Sequence, residues 1–216
     1  MTISDSYEQA AAELIRVGRR LWQQGFCPAT SSNFSRRLDA GQCAITVSGR
    51  DKGLLQHTDI MRIDMNGLSL DGQTPSAETL LHTQLYRRDT SIGAVLHTHS
   101  VKAALVSMHV TGSVMIEGLE LLKALKGIKT HQSTLEIPVF DNTQDIVALA
   151  QDVDRWMTQH GTGHAYLIKG HGLYSWGANI SEALRHIEAL EYLLDYYWHQ
   201  NELRLNFLPT NTERRG

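Results

Sequence analysis

The chain has 216 residues, 42% hydrophobic and 20% charged, with 17 Gly and 4 Pro, which excludes collagen-like, mucin-like and disordered chains. A net charge of -3, from 20 Lys and Arg against 23 Asp and Glu, supplies no basic field to hold a nucleic-acid backbone. Two cysteines, Cys27 and Cys43, make no framework of bridges, and with neither a charged-then-apolar leader nor an apolar run of about 18 residues the expectation is a cytoplasmic protein without a membrane partner.

The first expected element is a helix from Ser6 to Gln24, with Leu14, Val17, Leu21 and Trp22 at helical spacing, a capping box from Ser6 and Gln9, and Gly25 as C-terminal cap. Short alternating pieces follow between Asn33 and Leu70, among them Ala44–Val47 and Met61–Asp64, with a hairpin-type turn at Asn66-Gly67. A helix over Glu78–Arg88 turns Leu81 and Leu85 inward, and Ile92–Leu96 reads as a buried strand. Val101–Met108 and Leu119–Leu125 are short helical stretches. Ile137–Phe140 is a strand that Pro138 keeps off the sheet centre, and Asp145–Gln159 is helical. Two strands, His164–Ile168 and Leu173–Trp176, flank a bend at Gly170-His171-Gly172. The last helix, Ser181–Leu203, carries Leu184, Ile187, Glu191, Leu194 and Trp198 along one side, so its inward stripe contains a carboxylate. Together these elements imply a single three-layer α/β/α domain over 1–204 with a mixed, largely antiparallel central sheet. A polar tail over 205–216 is expected to fray.

Eleven histidines, roughly twice average usage, prompt a search for metal ligands. In His97-Thr98-His99 a period of two puts both imidazoles on one face, with Cα atoms about 6.5 Å apart. His171 lies between two glycines, where missing side chains let the backbone turn sharply and bring an imidazole to another element. Three protein ligands and an open position suit a catalytic zinc; the spacing of Cys27 and Cys43 does not suit a thiolate pair. A His-x-His pair alone is more often surface or core, and His57, His82, His109, His160, His186 and His199 are assigned no role. There is no Walker-type loop and no Gly-x-Gly-x-x-Gly. The polar turns Thr30–Asn33, Ser48-Gly49 and Pro75–Ala77 offer backbone N–H groups and hydroxyls to a phosphate, although each alone is a routine turn.

Asn33, Ser48-Gly49, Ser76-Ala77-Glu78, His97-Thr98-His99 and Gly170-His171-Gly172, in this order and spacing, resemble the class II aldolase/adducin family across roughly residues 7–203. Within it, residues 26–33, 120–127, 137–142 and 172–177 are similar to the branch that dehydrates sugar phosphates. The resemblance implies one zinc per subunit on His97, His99 and His171, and a phosphorylated ketose as substrate. It further implies phosphate contacts from Asn33, Ser48, Gly49 and Ser76 assisted by Lys123, and a homotetramer with sites near subunit boundaries. The carboxylate that serves as acid and base in the dehydratases matches Glu120, and the one in the aldolases matches Glu78; this chain has both. Family aldolases often carry Gly before the phosphate-binding Asn and a second Ser before the Glu, where this sequence has Ser32 and Ala77. A sugar-phosphate aldolase, a pentulose-phosphate epimerase and a non-catalytic adducin-like scaffold are the other functions within the family.

Overall fold

The computed structural model describes residues 3–206, with side-chain surroundings for residues 6–203. Helix α1 (Ile3–Gln23) buries Ala10, Leu14, Val17 and Leu21. It begins before Ser6, so the expected capping box is not used: Gln9 instead donates to Glu13 one turn on. The far end behaves as expected, since Gly25 takes φ +79° and the Gly25 and Phe26 N–H groups bond back to the Trp22 and Leu21 carbonyls, a Schellman closure.

Eight strands form one sheet: β1 (Asn33–Arg37), β2 (Gln42–Thr46), β3 (Ile60–Asp64), β4 (Ala94–Thr98), β5 (Ser113–Ile116), β6 (Leu135–Phe140), β7 (Ala165–Ile168) and β8 (Gly172–Gly177). Their order is β3-β2-β1-β4-β8-β7-β6-β5, antiparallel throughout except between β6 and β7. Strand alternation divides the apolar side chains between two cores. Leu96, Leu167 and Leu173 face α1, α3 (Val101–His109) and α5 (Ile180–Asn206), while Val95, Tyr166 and Tyr174 face α2 (Thr79–Arg88) and α4 (Ile146–His160). This is the expected α/β/α layering with a largely antiparallel sheet. Of the polar tail expected from 205 onward, 205 and 206 close α5, and 207–216 lie outside the described residues.

Three expectations are corrected. The buried strand after α2 begins two residues later than read, so His97 and Thr98 lie inside β4. Leu119–Leu125 contains a single 3-10 turn, Glu120–Ala124. Strand β6 is internal: it pairs with β5 through residues 135–138 and with β7 through Val139 and Phe140, so Pro138, opposite Ser113, stands where the strand passes from one partner to the other. Strand β5 has no periodicity strong enough to be read from its four residues.

Candidate metal centre and active site

The antiparallel pairing of β4 with β8 sets His97 opposite Tyr174 and Thr98 opposite Leu173, so the turn entering β8 lies against the end of β4. That turn needs both of its glycines. Gly170 has φ +61°, and a Cβ on Gly172 would lie 2.0 Å from the Thr98 carbonyl oxygen and 3.1 Å from the His97 ring. His171 is thereby carried to His97 and His99, and one ligand atom from each of the three lies within 4.8 Å of the others.

Two of the histidines, His97 and His99, are prepared as neutral donors. His97 is buried in β4; its Nδ1–H donates to the Leu173 carbonyl at 3.0 Å, which leaves the Nε2 lone pair directed at His171 Nε2, 3.4 Å away. The Tyr174 ring stacks on it at a centroid distance of 3.9 Å. Burial holds His97 well below the ordinary imidazole range and lowers His99 to about 4, with charge on His171 acting in the same direction on His99. His97 and His99, held neutral, converge with His171 from one strand end and one turn, and the three donor nitrogens fit a divalent metal ion with an open position.

Glu78, at the N-terminus of α2, stands beside this triad. Its carboxylate lies 2.9 Å from His171 Nε2 and 3.4 Å from His97 Nε2, and it accepts hydrogen bonds from Asn33 Nδ2 at 2.7 Å and the Tyr174 hydroxyl at 2.9 Å. Burial opposes its charge, but the hydrogen bonds from His171 and Asn33 outweigh that and hold it well below the usual carboxylate range. The orientation of Asn33 follows from a buried chain. With its amide N–H on Glu78, its oxygen accepts from His82 Nε2; His82 Nδ1 then accepts from the Ser35 hydroxyl at 2.8 Å, and Ser35 accepts from the Tyr86 hydroxyl at 2.8 Å. His82 is fully buried and lowered to about 4 by desolvation, so it stays neutral. Sequence reasoning gave His82 no role because its partners come from β1 and from the next turn of its own helix.

Ser76 joins the same group, its Oγ 3.5 Å from Asn33 Nδ2 and 3.3 Å from the Glu78 amide. The exposed Ser48-Gly49 turn is adjacent, since the Ser48 amide donates to the Thr74 carbonyl at 3.4 Å. Ser32, where family aldolases often carry glycine, takes φ +73°. Cys27 is buried and raised to about 11 by desolvation, which makes it a packing thiol rather than a nucleophile.

Glu120 and Lys123 are not brought to the triad within this chain. They pair with each other on the exposed 3-10 turn, and Glu120 also faces His131 at 3.7 Å. Strand polarity shows where that turn lies: it follows the Ile116 end of β5, opposite Leu135, and leads to Lys126, whose amide donates to His186 and whose carbonyl accepts from His164. His186 in turn donates to the Trp176 carbonyl. Both ends of the segment are therefore at the end of the β7–β8 hairpin away from His171. On the opposite face of β4 from the metal ligands, Glu191 of α5 is buried and accepts from the Thr98 hydroxyl at 2.9 Å and from Ser100.

Comparison with known proteins places the chain in a family. A family model described as Class II Aldolase and Adducin N-terminal domain matches residues 12–198. A methylthioribulose-1-phosphate dehydratase of Methylococcus capsulatus is 54% identical over 189 residues, covering 88% of this chain and 93% of the relative. One from Alcanivorax borkumensis is 53% identical, covering 87% and 90%. Among solved structures, L-fuculose-1-phosphate aldolase from Thermus thermophilus is similar with a TM-score of 0.73 at 25% identity, over 94% of this chain and 98% of that one.

Proposed function

The chain belongs to the class II aldolase and adducin family, and from that premise we propose that it is a zinc-dependent dehydratase. It converts 5-methylthioribulose 1-phosphate to 2,3-diketo-5-methylthiopentyl 1-phosphate and water, a step of methionine salvage in the cytoplasm. The observation that carries the reading is a converged three-histidine centre beside an ionised Glu78, in a chain 54% identical over most of its length to a dehydratase of that name.

His97, His99 and His171 would hold the zinc ion, which would supply Lewis acidity at the substrate carbonyl and so acidify the neighbouring C–H. The chain's own residues do the rest. Asn33, Ser48, Gly49 and Ser76 receive the phosphate end, assisted by Lys123 of the partner subunit. Glu78, held by Asn33 and Tyr174, keeps the reacting end of the sugar against the histidines. A carboxylate removes the proton from C3, next to the C2 carbonyl, and returns a proton to the hydroxyl leaving C4. One water departs, and the remaining enol tautomerises to the diketone. We assign that acid/base work to Glu120 of the partner subunit in a homotetramer, because within one chain the 3-10 turn and the triad occupy opposite ends of the sheet.

The second reading, a sugar-phosphate aldolase, is favoured by the likeness to the Thermus aldolase and by Glu78 at the triad. A non-catalytic scaffold has no use for three converged imidazoles. Incubating zinc-loaded protein with 5-methylthioribulose 1-phosphate and weighing the products separates these readings. Loss of one water with the carbon skeleton intact supports dehydration; two shorter fragments support the aldolase, and unchanged substrate refutes the substrate assignment.

A further inference from the structure

Lys52 is 1% exposed, and a buried ammonium ion is costly unless an anion or a full set of acceptors compensates it. Its Nζ donates to the carbonyl oxygens of Arg50, at 2.5 Å, and Thr30, at 3.3 Å. Among the described residues no carboxylate lies within ion-pair distance of it. The two nearby acids are otherwise engaged: Asp51 accepts from the Gly53 amide at 2.8 Å, and Asp59 pairs with Arg50 at 3.1 Å and accepts from the Gln56 amide at 3.0 Å. The Cys27 thiol, which feels the Lys52 charge, stays protonated to about 11. Among the described residues the cation is therefore left without a counter-ion.

Its surroundings show what anion would supply one. The two carbonyls that Lys52 holds belong to the two polar turns on either side of it, 28–33 and 48–51. Each turn has a residue in the left-handed region, Ser32 at φ +73° and Gly49 at φ +72°. Among the described residues the amide N–H groups of Ser32 and Gly49 donate to no protein acceptor. The preceding amides are already engaged, Ser31 by the Pro28 carbonyl at 3.1 Å and Ser48 by the Thr74 carbonyl at 3.4 Å, so each turn keeps one free N–H, on the residue with positive φ, for an anion. The first of these turns is tied to the metal ligands, because the Phe26 carbonyl accepts from the His99 amide at 2.8 Å and from the Ser32 hydroxyl at 3.4 Å.

We propose that Lys52 is a positioning residue of the phosphate site: its buried, unpaired cation draws the 28–33 and 48–51 turns together and is neutralised when a phosphate monoester dianion occupies them. This role rests on the substrate being phosphorylated, not on which reaction follows. It also accounts for a site whose other in-chain donors, Asn33, Ser48, Gly49 and Ser76, are all uncharged.

The test compares zinc-loaded wild type, Lys52→Met and Lys52→Arg by thermal melting, with inorganic phosphate or chloride at matched ionic strength. Phosphate should raise the wild-type Tm. Lys52→Met should lose the response to phosphate, because it removes the cation that the dianion neutralises. With the phosphorylated ketose its KM should rise by about tenfold or more while kcat changes much less, the mark of lost binding to a charged group. A residue that only staples the turns gives the reverse: Lys52→Met keeps the full response, which overturns the proposal. If Lys52→Met does not fold, the Lys52 Nζ resonance of 15N-lysine-labelled wild type, assigned with Lys52→Arg, should shift on adding phosphate; an unmoved resonance overturns it equally. A wild type stabilised by phosphate yet unable to dehydrate 5-methylthioribulose 1-phosphate leaves the role of Lys52 standing and removes the substrate assignment. A wild type indifferent to phosphate removes the role of Lys52 itself.

Discussion

Replacing Glu191 by Gln should make the protein more stable at pH 8 and nearly unchanged at pH 5. Glu191 lies in the apolar stripe of α5 at 4% exposure, and desolvation raises its pKa from 4.5 to about 7; the hydrogen bonds from Ser100 and Thr98 offset only part of that. A carboxyl with a folded-state pKa above its unfolded value binds more protons folded than unfolded between the two values. Stability from this group is therefore fully present below pH 4.5 and is lost as the pH rises toward 7. Between pH 5 and pH 8 the loss amounts to about 2–3 kcal/mol, or roughly 5–10 °C in Tm for a chain of this size. Gln keeps an acceptor for the Thr98 hydroxyl and carries no charge to desolvate, so the variant lacks this component of the pH dependence. Melting both proteins in the same buffers from pH 5 to pH 8 isolates it, because every other titrating group contributes equally to both. The gap between the two Tm values should widen with pH in favour of Glu191→Gln. Parallel curves would refute the reasoning and show that the folded protein solvates this carboxylate.

His97→Ala removes a ligand whose other nitrogen is anchored on Leu173, so zinc and turnover should be lost together; full metal content by atomic emission after dialysis would count against the ligand set. Glu120→Gln should retain zinc and lose about 100- to 10,000-fold in kcat. Co-assembling Glu120→Gln with His97→Ala should restore roughly a quarter of wild-type activity, because random mixing of a shared site gives that fraction of sites with both groups intact; no recovery would place acid and metal in one chain. Ser32→Gly should raise stability by about 1 kcal/mol by relieving φ +73° at a side-chain-bearing residue, measured by urea denaturation. His82→Phe frees the Asn33 amide to rotate and should lower kcat with zinc content unchanged, whereas His82→Gln, which keeps a donor for Asn33, should recover much of it; equal activities would show that the chain through Ser35 and Tyr86 is packing only.

The parts legible in the sequence were those whose cause is local. Gly170 and Gly172 announced a turn that no side chain fits, and the structure supplies the obstacle, the Thr98 carbonyl and the His97 ring. Glu191 was legible as a carboxylate on an inward helical stripe, although its partner Thr98, 93 residues away, was not. His82 and Lys52 escaped notice because a buried polar residue gains its meaning from partners on other elements, and spacing along its own segment does not reveal them. Ser6 misled because a capping pattern competes with whatever precedes it, and the helix continues back to Ile3. Pro138 misled more usefully: proline excludes a ladder hydrogen bond at one residue, not along a whole strand, so β6 accommodates it at the handover between two partners.

Strand polarity constrains how the site works. In β4, Ala94 pairs with Gly177 at one end of the sheet and Thr98 pairs with Leu173 at the other. The histidines, Glu78, Asn33 and the cation of Lys52 gather around the second end. The segment that follows β5 returns beneath α5 to Trp176, at the first end. A carboxylate on that segment serves its own triad only if the sheet refolds, whereas the homotetramer proposed above would bring it to a neighbour's triad with no internal change. Dilution therefore discriminates between the two carboxylates: an enzyme using Glu120 loses kcat as its subunits separate, and one using Glu78 alone keeps it per chain.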